Sequence, residues 1–223
     1  MKRLAWASGL LCLLATGSLL AQEPDVARIR ASMVENQQAL RQYVWHSRAR
    51  VEVDGEQQKV DLYQMRYNFA GELESTRLGG EAPEQKKVRG PVRKRLAKNK
   101  KKGAAQFTQA VKDQLQVYLS IDKLTEVLEG AFLRPGEDTI MLRSQDMVIE
   151  GDMVEFELVR ATRQPMTMRI ESTVDDEPVE MTITFQRLPE GPNYPARQVV
   201  ETQLGKRALV ITTENYNYMK QPR

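Results

Sequence analysis

Residues 165–185 read PMTMRIESTVDDEPVEMTITF. Met166, Met168 and Ile170 alternate with Thr167 and Arg169, and Val179, Met181, Ile183 and Phe185 alternate with Glu180, Thr182 and Thr184. A period of two marks half-buried strands, and Asp175-Asp176-Glu177 between the runs marks a turn. The same pattern extends both ways. Val154, Phe156 and Leu158 repeat it upstream; Val200, Thr202 and Leu204, then Leu209, Ile211 and Thr213, repeat it downstream. The breaks at Glu150-Gly151-Asp152, Arg163-Gln164-Pro165, Glu190-Gly191-Pro192-Asn193 and Gly205-Lys206 are spaced for consecutive hairpins. From Thr139 onward the chain is therefore expected to be an antiparallel meander of about five or six strands with one apolar face.

Nearer the N-terminus the period changes. Val26, Ile29, Met33 and Leu40 recur at helical spacing, and Pro24 and Asp25 suit a helix start, so a helix is predicted from Pro24 to Tyr43. Trp45, Ala49, Val51 and Val53 then alternate with polar residues, and Asp54-Gly55 is a hairpin signal. The return strand, Lys59 to Phe69, carries apolar residues on both parities, which predicts a bulge or a two-sided strand. A short third strand is expected to end near Leu78, followed by a linker from Gly79 to Pro91. Phe107, Val111, Leu115, Tyr118 and Leu119, then Leu124, Val127, Leu128 and Phe132, predict a helical hairpin turning near Ser120 and closed by Pro135-Gly136. The fold class expected is α+β: a curved antiparallel sheet of about eight or nine strands, an unclosed half-barrel covered on one face by three helices. Residues 22–223 are read as one domain, with a basic linker and helical insert at about 79–137. Trp45 should sit on the covered face and His46 should point to solvent.

Lys2 and Arg3 precede an uncharged run, Leu4 to Ala21, whose apolar heart is short for a bilayer span. Residues 1–21 are accordingly read as a secretory signal peptide, the alternative being an uncleaved anchor, and the product as periplasmic or otherwise exported. The one cysteine, Cys12, lies inside that run, where Leu10 and Leu11 precede it in place of the small residues of a lipid-attachment site. No disulfide or thiolate chemistry is then expected in the mature chain. Without Lys2 and Arg3 the 33 basic residues fall to 31 against 30 acidic ones, a net charge of +1.

That near-neutral total hides a segregation. In KKVRGPVRKRLAKNKKK, Lys86 to Lys102, ten of seventeen residues are basic and none is acidic. The block is either a solvated helical arm or a surface for polyanions, with Arg93, Lys94, Arg95, Lys98, Lys100, Lys101 and Lys102 as the contacting residues. Outside the cytoplasm the polyanions are anionic membrane surfaces, lipopolysaccharide phosphates and wall polymers. No nucleic acid partner is expected, because the block contains no Trp or Tyr for base stacking.

Catalysis finds little support. A single histidine, His46, allows at most one triad; there is no Gly-x-Ser-x-Gly elbow, no Ser-x-x-Lys motif and no Gly-rich phosphate loop. Met166-x-Met168 could begin a soft-metal site, but only His46 is available to extend it, so no metal and no cofactor is expected. Methionine adapts to irregular apolar shapes, and Met166, Met168 and Met181 fall on the predicted apolar face beside Ile170, Ile183 and Phe185. That face either fills an ordinary core or lines a lipid-adaptable cavity. Trp45, Phe156, Met166, Met168, Ile170, Met181, Ile183 and Phe185 are the candidate ligand-binding residues.

The order of helix, strands, helical segment and long meander resembles the periplasmic lipoprotein-localisation carriers, the Lol carrier fold, and the related sensor of the envelope stress response. The likeness is strongest in Pro165-Met166-Thr167-Met168-Arg169-Ile170, Met181-Thr182-Ile183-Thr184-Phe185, Asn193-Tyr194-Pro195-Ala196-Arg197 and Thr212-Thr213-Glu214-Asn215-Tyr216. Gln64 to Tyr67, Gln-Met-Arg-Tyr, is similar to a segment of uncharacterised secreted bacterial proteins. The basic insert from about Gly79 to Lys102 departs from the carriers, and no carrier residue is transferred by role. The resemblance implies an unclosed barrel with a helical lid, holding acyl chains between sheet and helices. Its implied functions are a non-enzymatic carrier or chaperone of lipid or lipoprotein acyl groups, or a sensor or adaptor that contacts an envelope protein or anionic polymer through its basic arm.

Overall fold

The computed structural model describes residues 23–81 and 106–221. Helix α1 spans Glu23–Leu40, a helix α2 covers residues 106–118, and α3 spans Ile121–Gly130. Ten strands form one sheet: β1 Tyr43–Val53, β2 Glu56–Tyr67, β3 Leu73–Glu81, β4 Phe132–Pro135, β5 Thr139–Gln145, β6 Met153–Val159, β7 Pro165–Val174, β8 Glu177–Arg187, β9 Asn193–Leu204 and β10 Arg207–Lys220. The signal peptide and the basic block with Arg93, Lys94, Arg95, Lys98, Lys100, Lys101 and Lys102 lie outside the described residues.

The strand order is β3-β2-β1-β10-β9-β8-β7-β6-β5-β4, antiparallel throughout. Every neighbouring pair is consecutive in sequence except β1 and β10. The chain therefore leaves the sheet at one edge, β3, and re-enters at the opposite edge, β4. Between them α2 and α3 pack on one face. The sheet is open, because β3 and β4 do not pair with each other.

Local sequence accounts for most turns. Asp54 and Gly55 both have positive φ, 53° and 77°, the signature of a two-residue I′ hairpin, and Asp175 and Asp176 at 50° and 65° repeat it with two aspartates. Helix α3 starts where Ser120 Oγ accepts the N–H of Lys123 at 3.3 Å, with Asp122 in its first turn.

The strands bury one face in register. Val154, Ile170, Met181, Val200, Ile211 and Val51 are direct partners across six neighbouring strands. A second row is Leu142, Phe156, Met168 and Ile183. Ile29 of α1, Phe107, Val111, Leu115 and Tyr118 of α2, and Val127 and Leu128 of α3 close over these rows. Among the described residues no helix is long and apolar enough to cross a membrane.

Four expectations need correction. The sheet has ten strands rather than eight or nine. The extra one is β4: α3 ends at Gly130, and Phe132, read as the last apolar position of that helix, begins a short edge strand where it is 75% exposed. Gly79 and Gly80 belong to β3 and not to a linker, because Leu62 and Asp61 of β2 pair with them. The first helix stops at Leu40, three residues early, since Tyr43 pairs with Lys220 and extends β1. In each case a partner distant in sequence decides between two local readings.

Candidate ligand site

A cavity of about 110 Å³ lies between the sheet and the helices. Helix α1 contributes Ser32, Met33, Asn36, Gln37 and Leu40; the α2–α3 turn and α3 contribute Leu119 and Leu124. The sheet contributes Tyr67, Phe156, Pro165, Phe185, Asn193 and Pro195. Most of the wall is apolar, and Phe156 and Phe185 meet edge to face at 6.0 Å between ring centres.

Three bulges build the sheet's side of this site. On β7, Thr167 faces Glu157 while Pro165 faces Leu158, so Met166 is an extra residue without a cross-strand partner. On β9, Arg197 faces Thr184 while Pro195 faces Phe185, leaving Ala196 over. On β10, Tyr216 faces His46 while Met219 faces Val44, and Asn217 in between has a φ of 54°. Each bulge reverses the inward parity, which turns Pro165, Pro195 and Tyr218 towards the covered face. Asparagine tolerates the left-handed conformation that the third bulge requires.

Met166 is thereby corrected: it is 39% exposed, off the apolar face, and Pro165 takes the inward position expected for it. Trp45 is buried on the covered face as expected and stacks on Tyr218, with ring planes 8° apart and centres at 5.3 Å. It stands behind Tyr67, at 5.6 Å, and does not itself line the cavity. Burial pushes the Tyr218 phenol well above its ordinary pKa, with Tyr194 and Tyr67 adding to the effect. His46 is on the opposite face, edge-on to Tyr216.

Of the other predicted residues, Phe156 and Phe185 line the cavity. Met168, Ile170, Met181 and Ile183 are fully buried beneath the helices and are not part of its wall. Of the wall residues only Phe156 and Phe185 were candidates; among the others, Met33, Leu40, Leu119 and Leu124 had been marked as apolar positions by helical periodicity.

Two polar devices hold the helices. Asn36 donates Nδ2–H to the Asn193 carbonyl at 2.9 Å and accepts the Asn193 N–H on Oδ1 at 2.6 Å, which ties α1 to the start of β9. At the other end of the sheet, Asp152 is 2% exposed. Its carboxylate accepts backbone N–H groups from Met147 at 2.7 Å, Val148 at 2.9 Å and Ile149 at 3.0 Å, and the Tyr118 hydroxyl at 2.5 Å. Tyr118 Oη also lies 3.1 Å from Ser172 Oγ, which accepts from Gln114 at 2.9 Å. Burial raises the Asp152 pKa, but these donors outweigh it and hold the carboxyl below its ordinary value. Burial and the hydrogen bond to Asp152 raise Tyr118 to about 12. This network fastens the β5–β6 loop to α2 and β7. Among the described residues no group of three or more His, Cys, Asp or Glu side chains could hold a metal ion.

No known protein family and no curated protein matches this sequence. Two solved structures are similar to it over nearly their whole length. A LolA superfamily protein, NE2245 from Nitrosomonas europaea, is 12% identical with a TM-score of 0.38, over 87% of this chain and 94% of that one. MucB, in its complex with MucA(peri), is 8% identical with a TM-score of 0.24, over 89% of this chain and 100% of that one.

Proposed function

We propose that this chain is an exported, non-enzymatic envelope protein that binds an acyl chain or a similar apolar ligand between α1 and the sheet. The observation that carries the reading is the apolar cavity under α1. At about 110 Å³ it is smaller than the roughly 150 Å³ cavity that admits benzene, so it takes the last few carbons of a chain and no more. A whole chain enters only if α1 lifts.

On one side α1 is tied to β9 by the Asn36–Asn193 hydrogen bonds; the other side is open. On its far side an open groove of about 900 Å³ separates it from α3 and β4, crossed by the exposed Arg30–Glu129 pair at 3.4 Å. Exposed pairs contribute about 0–1 kcal/mol, so this bridge restrains the helix little. Lifting α1 uncovers Ile29 and Leu40, at about 1.5–3 kcal/mol each, and breaks the two Asn36–Asn193 hydrogen bonds, at about 0.5–1.5 kcal/mol each, whereas a ligand returns about 0.8 kcal/mol for each methylene it buries. About five to eleven buried methylenes offset these costs, which selects long chains over short ones.

The test is native mass spectrometry of the chain from Gln22 purified without detergent, before and after organic extraction, alongside Leu124→Trp. An acyl species carried by the parent and absent from a folded Leu124→Trp is the expected result. A bare mass for the parent, unchanged after incubation with lipids, refutes it. A second reading, a sensor or adaptor, rests on the ten basic residues between Lys86 and Lys102. It requires salt-sensitive binding to anionic vesicles that disappears when Lys94, Arg95, Lys98, Lys100, Lys101 and Lys102 are reversed in charge.

A further inference from the structure

Beyond the apolar rows, towards the β3 edge, the covered face becomes charged. The register places Asp61 opposite Gly80 and Tyr63 opposite Arg77, so their side chains share that face. Asp61 is 5% exposed. Lys59 Nζ lies 2.5 Å from its Oδ2, and Arg77 donates to Oδ1 through Nη2 at 2.9 Å and Nε at 3.2 Å. Gly80 leaves the room for this grouping, since a Cβ there would meet Asp61, Arg77 and the Val60 carbonyl. From the helix layer Lys112 of α2 reaches down over Tyr63, its Nζ 5.7 Å from the ring centre.

Two cations thus pair with one carboxylate, and a third, Lys112, lies over the neighbouring Tyr63 ring and feels the Asp61 charge. Asp113, beside Lys112 in sequence, accepts a hydrogen bond from Gln109 at 2.8 Å on the exposed side of α2. Among the described residues Lys112 has no carboxylate at ion-pair distance; its contact is the face of Tyr63. Burial lowers its pKa, opposed by the Asp61 charge. Lys59 and Arg77 each meet Asp61 while their side chains stay more than half exposed, so among the described residues their outer N–H groups are open to a further acceptor. Such a set of point charges and a planar fork matches a compact oxyanion.

We propose that Lys59, Arg77 and Lys112 form a binding site for a phosphate-class oxyanion on the covered face, between β2, β3 and α2. Tyr63 and Tyr67 lie on the same face of β2, four residues and about 13 Å apart, so the site stands at that distance from the wall of the apolar cavity. The anion is either free phosphate or the headgroup of a lipid whose chain occupies the cavity. The site itself does not depend on the cavity being filled.

Calorimetric titration of the full chain from Gln22 with inorganic phosphate, at constant ionic strength set with chloride, tests it. Binding of one phosphate is expected, weakened roughly fivefold to tenfold in Lys112→Gln and in Arg77→Gln, each losing a charge-assisted hydrogen bond. Asp61→Asn is expected to tighten binding, because it removes the competing carboxylate. Neutralising Lys94, Arg95, Lys98, Lys100, Lys101 and Lys102 should leave the affinity within about twofold, since surface charges act weakly through salt. Phosphatidylcholine vesicles with and without phosphatidylglycerol separate the two sources: a headgroup site loses vesicle binding in Lys112→Gln, and a free-phosphate site loses phosphate binding alone. No phosphate binding by the parent, equal binding by parent and Lys112→Gln, or loss only on neutralising the basic block overturns the proposal.

Discussion

Replacing Asp152 by Asn should destabilise the fold by about 3–4 kcal/mol without changing the volume of the side chain. Oδ1 accepts one backbone N–H, from Met147, and Oδ2 accepts three donors, from Val148, Ile149 and the Tyr118 hydroxyl. The least costly amide orientation keeps its oxygen in the three-donor position and turns its NH₂ towards Met147. One buried backbone donor then has no acceptor, which costs about 1–3 kcal/mol. The other three hydrogen bonds change from charge-assisted to neutral, each losing up to about half of its strength. Urea unfolding followed by Trp45 fluorescence is the assay. With a slope of about 2 kcal/mol per molar, the midpoint should fall by roughly 1.5–2 M. Tyr118→Phe removes one donor and leaves Ser172 bonded to Gln114, so its cost should be near 1–2 kcal/mol. A midpoint for Asp152→Asn within about 0.5 M of the parent refutes the reasoning, because it would mean that the loop is not held by this carboxylate. The pH dependence has a definite sign. The folded pKa of Asp152 lies below its ordinary 3.8, so its contribution is present above that value and is lost as pH falls through the folded pKa. Asp61, held low by Lys59 and Arg77 against the effect of burial, acts in the same direction. Tyr118 acts at the other end: its contribution is full below pH 10 and is lost as pH rises towards about 12. Asp152→Asn should flatten the acid limb of the stability profile.

The β7 bulge predicts opposite outcomes for two methionines two residues apart. Met166→Gln should change stability by no more than about 0.5 kcal/mol, while Met168→Ala, in the fully buried row, should cost about 2–5 kcal/mol in the same unfolding assay. Asn217→Val puts a β-branched residue at a φ of 54°; it should cost about 1–3 kcal/mol and, by moving Tyr218 off Trp45, reduce the aromatic near-ultraviolet circular dichroism.

Much of the architecture was legible in the chain. From Thr139 to Thr213 each strand announces itself by its period of two and each reversal by Gly, Pro or Asp, so the faces of β6 to β10 could be assigned before any pairing was known. Trp45 could be placed on the covered face by parity with Ala49, Val51 and Val53. The candidate site was less legible, and the reason is the bulges. Parity counting carries Met166 inward with Met168, and Tyr216 and Tyr218 to one face. A single extra residue in each strand reverses both assignments, and its position depends on hydrogen bonding to another strand. Phe132 misled for a related reason: Leu128 and Phe132 are four apart, yet pairing of Phe132 with Arg143 makes it a strand. Asp152 was visible only as part of a turn, because nothing near it in sequence indicates that Tyr118 will reach it.

The sequence by itself determined the α+β class, the amphipathic faces of the helices and meander, the hairpin positions and the segregation of positive charge between Lys86 and Lys102, since each depends on residues within a few positions of one another. Only the tertiary structure decided that β1 pairs with β10, that the chain crosses from the β3 edge to the β4 edge, that the methionine row is filled while a small cavity remains under α1, and that Lys112 comes to rest above Tyr63. Those features depend on groups far apart in the chain, and local periodicity records which face of an element is buried but not what packs against it.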